Sequence, residues 1–131
     1  MCGFIEKVQF LSIAKKIGII PGSCGTSSYL VRGLDNPDSY FSCSHGAGRK
    51  IGRAEFNRQY NSPEKLKEIE ESLKNIVHTE FKNETSRDKN DNSVPTNFLD
   101  VSEAPQAYKP IQEVMENQKD LVEIVLTLNP L

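Results

Sequence analysis

The chain has 131 residues, 37% hydrophobic and 26% charged, enough for one ordinary globular domain. Sixteen basic and eighteen acidic side chains leave a net charge of -2, which excludes nucleic-acid binding by bulk positive charge alone. No apolar run reaches bilayer length and no secretory leader pattern opens the chain. Three cysteines (Cys2, Cys24, Cys43) cannot all pair, so the expectation is free thiols in a reducing, cytoplasmic compartment with no membrane partner.

In chain order, residues 1–18 combine helix-like apolar spacing (Val8, Leu11, Ile13, Ile17) with strand-forming residues. Residues 19–54 are predicted to hold two strands, Ser28–Arg32 and Ser39–Cys43, joined by the turn-rich Gly33-Leu-Asp-Asn-Pro-Asp38. Residues 62–80 read as a helix with Ser62 as N-cap, Pro63 at the first helical position, and Leu66, Ile69, Leu73, Ile76 and Val77 on one face. Residues 82–97 carry one large apolar residue, Val94, and are expected to form a mobile polar loop. A helix opens at Pro110 with Ile111, Val114, Met115 and Gln118 on one face, and Val122–Leu128 reads as a strand. The fold class is α+β.

Glycine and charge single out one region. Seven of the eight glycines lie between Gly18 and Gly52, where the chain bends sharply or lets something approach closely. Residues 19–54 hold four basic side chains (Arg32, Arg49, Lys50, Arg53) and two acidic ones (Asp35, Asp38), a local positive balance inside an acidic protein. Ile20-Pro-Gly-Ser-Cys-Gly-Thr-Ser-Ser-Tyr29 is a small-residue loop whose amides and hydroxyls can wrap an anion, or it is a structural turn. It lacks the Gly-Lys-Ser/Thr ending of a Walker A loop.

Ser42-Cys-Ser-His-Gly-Ala-Gly-Arg-Lys-Ile-Gly-Arg53 carries more chemistry. Residues without bulk flank His45, so a large ligand can reach its imidazole, which is a competent nucleophile at phosphorus. Arg49 and Arg53 are spaced to share one face of a helix starting near Gly48 and to serve one anion. The bland reading is a histidine capping a glycine-rich bend. A zinc site from Cys24, Cys43, His45 and His78 is a further reading, but the spacing fits no structural zinc pattern. His78 otherwise complements a helix end, and Tyr108 can stack on or hydrogen-bond a base, or simply pack.

The stretches IIPGSCGTSSYLVRGLDNPDSYFSCSHGAGRKIGRAE (19–55) and SEAPQAYKPIQEVMENQKDLVEIVLTLNPL (102–131) resemble the C-terminal part of the RtcB family of RNA-splicing ligases. That resemblance implies joining of RNA 3′-phosphate or 2′,3′-cyclic phosphate ends (tRNA halves or broken RNA) to 5′-hydroxyl ends, with GTP and manganese. It implies that His45 takes GMP from GTP as a phosphoramidate and passes it to the RNA 3′-phosphate. Ser23 with the amides of Ala47 and Gly48 would hold the GMP phosphate, and Ser28 and Tyr108 would contact guanine. Arg49 and Arg53 would neutralise phosphate charge, Arg53 on the RNA side.

The same resemblance divides the chain into a divergent segment (1–18), a catalytic-histidine segment (19–55), a variable connection (56–101) and a C-terminal helix–strand segment (102–131) without the family's terminal lysine tail. Gly52 stands where the family usually has serine. The manganese ligands of the family lie upstream of this region, so no metal ligand is expected in this chain. A complementary N-terminal part of a ligase is the expected partner. The corresponding expectation is an incomplete ligase domain, inactive alone. The competing readings are a non-catalytic guanine-nucleotide or RNA-end binding module and a non-functional gene remnant.

Overall fold

A computed structural model of the chain describes residues 10–11, 16–87 and 89–131. The helical spacing read over residues 1–18 falls mostly outside them. Phe10–Leu11 (β1) and Ile17–Ile20 (β2) are both strands. Strand β3 (Ser28–Gly33) follows, then a single 3-10 turn at Pro37–Ser39 and the short strand β4 (Ser42–Cys43), which pairs antiparallel with β1. The expected strand over Ser39–Cys43 is therefore cut to its last two residues. Tyr40 and Phe41 have φ of 53° and 55°, a left-handed corner that interrupts any extended run.

Helices α1 (Arg53–Tyr60) and α2 (Pro63–Leu73) come next. Helix α2 begins at the predicted proline but stops at Leu73, where Lys74 and Ile76 turn back through bonds to the Glu71 and Leu73 carbonyls. Ser62 occupies the N-cap position without a side-chain capping bond. His78 thus stands beyond the helix, its Nδ1 2.9 Å from the Thr79 carbonyl oxygen and its ring against Phe81.

Residues 82–97 do not form the expected mobile loop. Asn83–Arg87 (β5) and Ser93–Leu99 (β6) pair as an antiparallel hairpin. The Asn/Asp-rich run read as loop is its turn, with Asp91 at φ 64°, a conformation Asp tolerates better than most residues. Val94 and Phe98 remain exposed, so backbone pairing rather than an apolar face defines these strands. After a second 3-10 turn at Pro105–Ala107, α3 (Ile111–Glu116) and β7 (Val122–Leu128) complete the chain as predicted.

The central sheet has the order β2-β3-β7, antiparallel throughout. One face carries Ile20, Tyr29, Val31 and Val122 onto Ile111 and Met115 of α3, with Cys43 and Ala47 in the same core. A second core collects Phe56, Ile69, Leu73, Val101, Ala104 and Ala107, and half-buried Tyr108 packs against both. The opposite face of the sheet aligns Ile19, Leu30 and Leu126 across all three strands, with Ile19 56% and Leu126 52% exposed. Helix α1 is fixed to the chain after β6 by two asparagines. Asn57 donates to Asp100 at 3.1 Å and accepts from the Val101 amide, and Asn61 exchanges bonds with both backbone groups of Leu99.

Cys43 is a buried thiol outside any disulfide, as expected. Cys24 is disulfide-bonded, which corrects the expectation of free thiols throughout.

Candidate functional site

The small-residue loop between β2 and β3 is built by its own hydroxyls. Thr26 accepts from the Ser23 amide at 2.7 Å and donates to the Ser23 carbonyl at 3.0 Å, while Ser28 Oγ accepts from the Gly22 amide at 3.2 Å. A Cβ on Gly22 would collide with the Ser27 carbonyl oxygen and the Thr26 hydroxyl, so this turn demands glycine. Ser23 and Ser28 are thus committed to shaping the loop, with Ser23 Oγ also 3.1 Å from Thr26 Oγ1. Gly25, at φ 77°, lies against Leu73 of α2.

The histidine loop lies beside this turn, with the Cβ position of Gly46 3.5 Å from the Pro21 carbonyl oxygen. His45 is exposed. Its predecessor is held at both ends: the Ser44 amide donates to Gln118 Oε1 at 2.9 Å, and the Ser44 hydroxyl donates to the Gly46 carbonyl at 2.6 Å. Gln118 is buried, so a rigid acceptor reaching from beyond α3 sets the position of the histidine loop. Its place on the otherwise apolar face of the predicted helix was the sequence signal for this role. Ala47 turns its side chain into the core, and Gly48 adopts φ 73° in open space.

Arg49 and Arg53 do not share a helix face. Arg49 precedes α1 and forms an antiparallel bridge with Tyr108, whereas Arg53 opens the helix. Helix formation starts only after Gly52, because glycines at 46, 48 and 52 favour bends over a helical run. The two guanidiniums nevertheless meet, at 3.6 and 3.4 Å from the same carboxylate oxygen of Glu103. Arg49 Nη1 also donates to the Tyr108 hydroxyl at 3.1 Å, and that hydroxyl donates to Glu103 at 2.5 Å. The Arg49 guanidinium lies 4.9 Å from the Tyr108 ring centroid.

Burial, then the hydrogen bond to Glu103, raises the Tyr108 phenol above its ordinary value and keeps it neutral. Arg49 Nη2 is buried with no acceptor among the described residues, which leaves its donors unused there. Glu103 is the residue that sequence reasoning passed over. Its signal was a lone carboxylate close in sequence to Tyr108.

Among the described residues, no three His, Cys, Asp or Glu side chains come together to hold a metal ion. The zinc reading and the manganese implied by the resemblance therefore find no ligand set there. No helix is long and apolar enough to cross a membrane.

A family model described as tRNA-splicing ligase RtcB matches residues 8–131. The chain is 38% identical over 115 residues to the RNA-splicing ligase RtcB of Escherichia coli (strain K12), covering 88% of this chain and 23% of that protein. It is 35% identical over 112 residues to the tRNA-splicing ligase RtcB of Nanoarchaeum equitans, covering 82% of this chain and 20% of that protein. The RNA-splicing ligase RtcB of Mycobacterium tuberculosis is 30% identical over 115 residues, again across 23% of its length. The matched part thus spans about a fifth to a quarter of these relatives, and it includes the connection between the two stretches that carry the resemblance.

Proposed function

The chain belongs to the RtcB family, and from that premise we propose that it carries the nucleotidyl-transfer part of an RNA ligase, with His45 as the nucleophile. In this reading an imidazole nitrogen of His45 attacks the α-phosphorus of GTP. A P–N bond forms, the bond to the bridging oxygen breaks, and pyrophosphate leaves. An oxygen of an RNA 3′-phosphate then displaces the imidazole and takes the GMP, and a 5′-hydroxyl expels GMP as the strands join. Two of the chain's features suit this role: an exposed imidazole on a loop whose neighbours are anchored, and hydroxyl-rich turns beside it.

The observation that carries the reading is the buried, unpartnered Nη2 of Arg49. A guanidinium already bonded to Tyr108 and paired with Glu103 retains donors for one more anionic oxygen, such as a phosphate oxygen. Ser23, Ser28, the amides of Ala47 and Gly48, and Tyr108 are proposed around the guanylate, with Arg53 toward the RNA. The described residues do not fit manganese, so the metal-dependent part of the reaction is assigned to a complementary part of a ligase.

The test is incubation of the chain with α-labelled GTP and manganese, alone and with the Escherichia coli relative deleted for its matched region. Label is expected only in the mixture, on this chain. It should be acid-labile and alkali-stable as a phosphoramidate, and absent from His45→Ala. Label that survives His45→Ala, or that resists acid, overturns the assignment.

A further inference from the structure

We propose that the cleft walled by Lys50 and Lys109, on the other side of the Arg49–Tyr108 bridge, binds the sugar-phosphate backbone of the RNA strand whose end His45 serves. This rests on the ligase reading above and assigns a strand-binding track to it. The cleft has a volume of about 550 Å³, and its lining includes Ser44, Lys50, Lys109, Glu113 and Gln118.

The backbone sets up two opposed faces. Around the Arg49–Tyr108 bridge the Lys50 amide donates to the Ala107 carbonyl at 2.9 Å, and the Lys109 amide donates to the Gly48 carbonyl at 3.0 Å. Arg49 and Tyr108 turn onto Glu103, whereas Lys50 and Lys109, their immediate neighbours, line the cleft. The two faces differ in charge compensation. Both arginines already share the Glu103 carboxylate. Neither lysine has an ion-pair partner among the described residues, and Glu113 is the one carboxylate in the cleft lining. An exposed, uncompensated pair of ammonium groups on a fixed scaffold attracts phosphates strung along a strand.

Position relative to the nucleophile selects the strand over other anions. Ser44 lines the cleft and is covalently next to His45, and Gln118, which lines it too, holds the Ser44 amide. A polynucleotide lying in the cleft therefore runs past the residue next to His45. An acidic peptide has no reason to end at a histidine.

The experiment measures binding of a fluorescent single-stranded RNA with a 3′-phosphate to the full chain across a salt series. Lys50→Gln with Lys109→Gln is compared with Lys67→Gln with Lys74→Gln, which removes two lysines from elsewhere on the surface. Removing two phosphate contacts should lower the slope of log affinity against log salt by about 1.4, at roughly 0.7 per single-strand phosphate. The control pair should change nothing, and thermal melting should be the same for all three. An unchanged slope, absence of binding at low salt, or displacement by poly-glutamate as effective as by unlabelled RNA overturns the proposal. GTP labelling of the parent chain in the mixture described above separates the two readings: lysine-dependent RNA binding by a chain that takes no label there leaves the cleft standing and removes the ligase reading.

Discussion

Arg49 engages Tyr108 twice, through a 3.1 Å bond from Nη1 to the hydroxyl and through its guanidinium 4.9 Å from the ring centroid. The hydroxyl in turn donates to Glu103, so one phenol links the basic residues after the histidine loop to a carboxylate they share. Tyr108→Phe keeps the ring contact and removes both bonds. It should cost about 1 kcal/mol in denaturant unfolding, whereas Tyr108→Leu also loses the cation–ring contact and should cost more. The raised phenol adds a pH signature. The neutral form is favoured in the folded state, so its contribution is complete below the ordinary value of 10.0 and is lost as pH rises through the folded value. Melting temperatures measured at alkaline pH should fall less steeply for Tyr108→Phe than for the parent, and parallel curves would refute this account.

The two glycine-dependent turns should respond differently to a methyl group. Gly22→Ala forces a Cβ into the Ser27 carbonyl and the Thr26 hydroxyl, and backbone cannot step aside cheaply. A loss of about 1–3 kcal/mol is expected, as for other overpacked sites. Gly48→Ala meets nothing within 4 Å and bears only the strain of φ 73°, about 1–2 kcal/mol. Urea titrations of the two variants give the ordering directly, and Gly48→Ala matching or exceeding Gly22→Ala would contradict the close approach at Gly22.

Asp100 connects α1 to the chain after β6, and its pH behaviour follows from that position. Burial pushes its carboxyl up, but bonds from the Ser102 side chain, Asn57 and the Ser102 amide, with Arg53 nearby, outweigh burial and hold it below the ordinary 3.8. A depressed folded value means that the ionised form stabilises the fold above the unfolded value, and that this is lost as pH falls through the folded one. Because the residue is exposed, screening keeps the effect below about 1 kcal/mol. Asp100→Asn should flatten the acid limb of the stability profile below about pH 4. An acid limb unchanged in that variant would exclude Asp100 as its source.

Cys43 sits in the first core with 8% of its surface exposed, and burial raises its thiol above 9.0. A buried, protonated thiol is a poor nucleophile. Alkylation followed by mass spectrometry should leave Cys43 unmodified in the native chain and modify it fully in denaturant. Rapid native labelling would show that β4 opens readily.

The sequence was most readable where one periodicity ran without interruption. Val122–Leu128 is β-branched and apolar almost throughout, and β7 occupies those residues. Helix α2 was visible from Leu66, Ile69 and Leu73, but not its end, since Ile76 and Val77 extend the apolar pattern past the point where the backbone turns. The β5–β6 hairpin was hidden for the opposite reason: a strand pair with little buried surface leaves almost no apolar trace, and its turn residues read as the whole segment. At the site, His45 and the small-residue loop stood out locally. The meeting of Arg49, Arg53 and Tyr108 depends on Glu103, fifty residues beyond Arg53, and no local spacing encodes such a contact.

The Arg49–Tyr108 bridge also divides the chain into what the histidine feels and what it does not. Residues 50–107 depart and come home at a single crossing, clasped by the Lys50–Ala107 and Lys109–Gly48 bonds. Within this excursion α2 is tied back to the small-residue loop through Leu73 and Gly25, whereas the turn between β5 and β6 ends in solvent. Lengthening a flexible loop twofold costs only about 0.6 kcal/mol. Growth at the tip of that hairpin is therefore nearly silent at the histidine, and this is where the protein has room to diversify while its histidine loop stays unaltered.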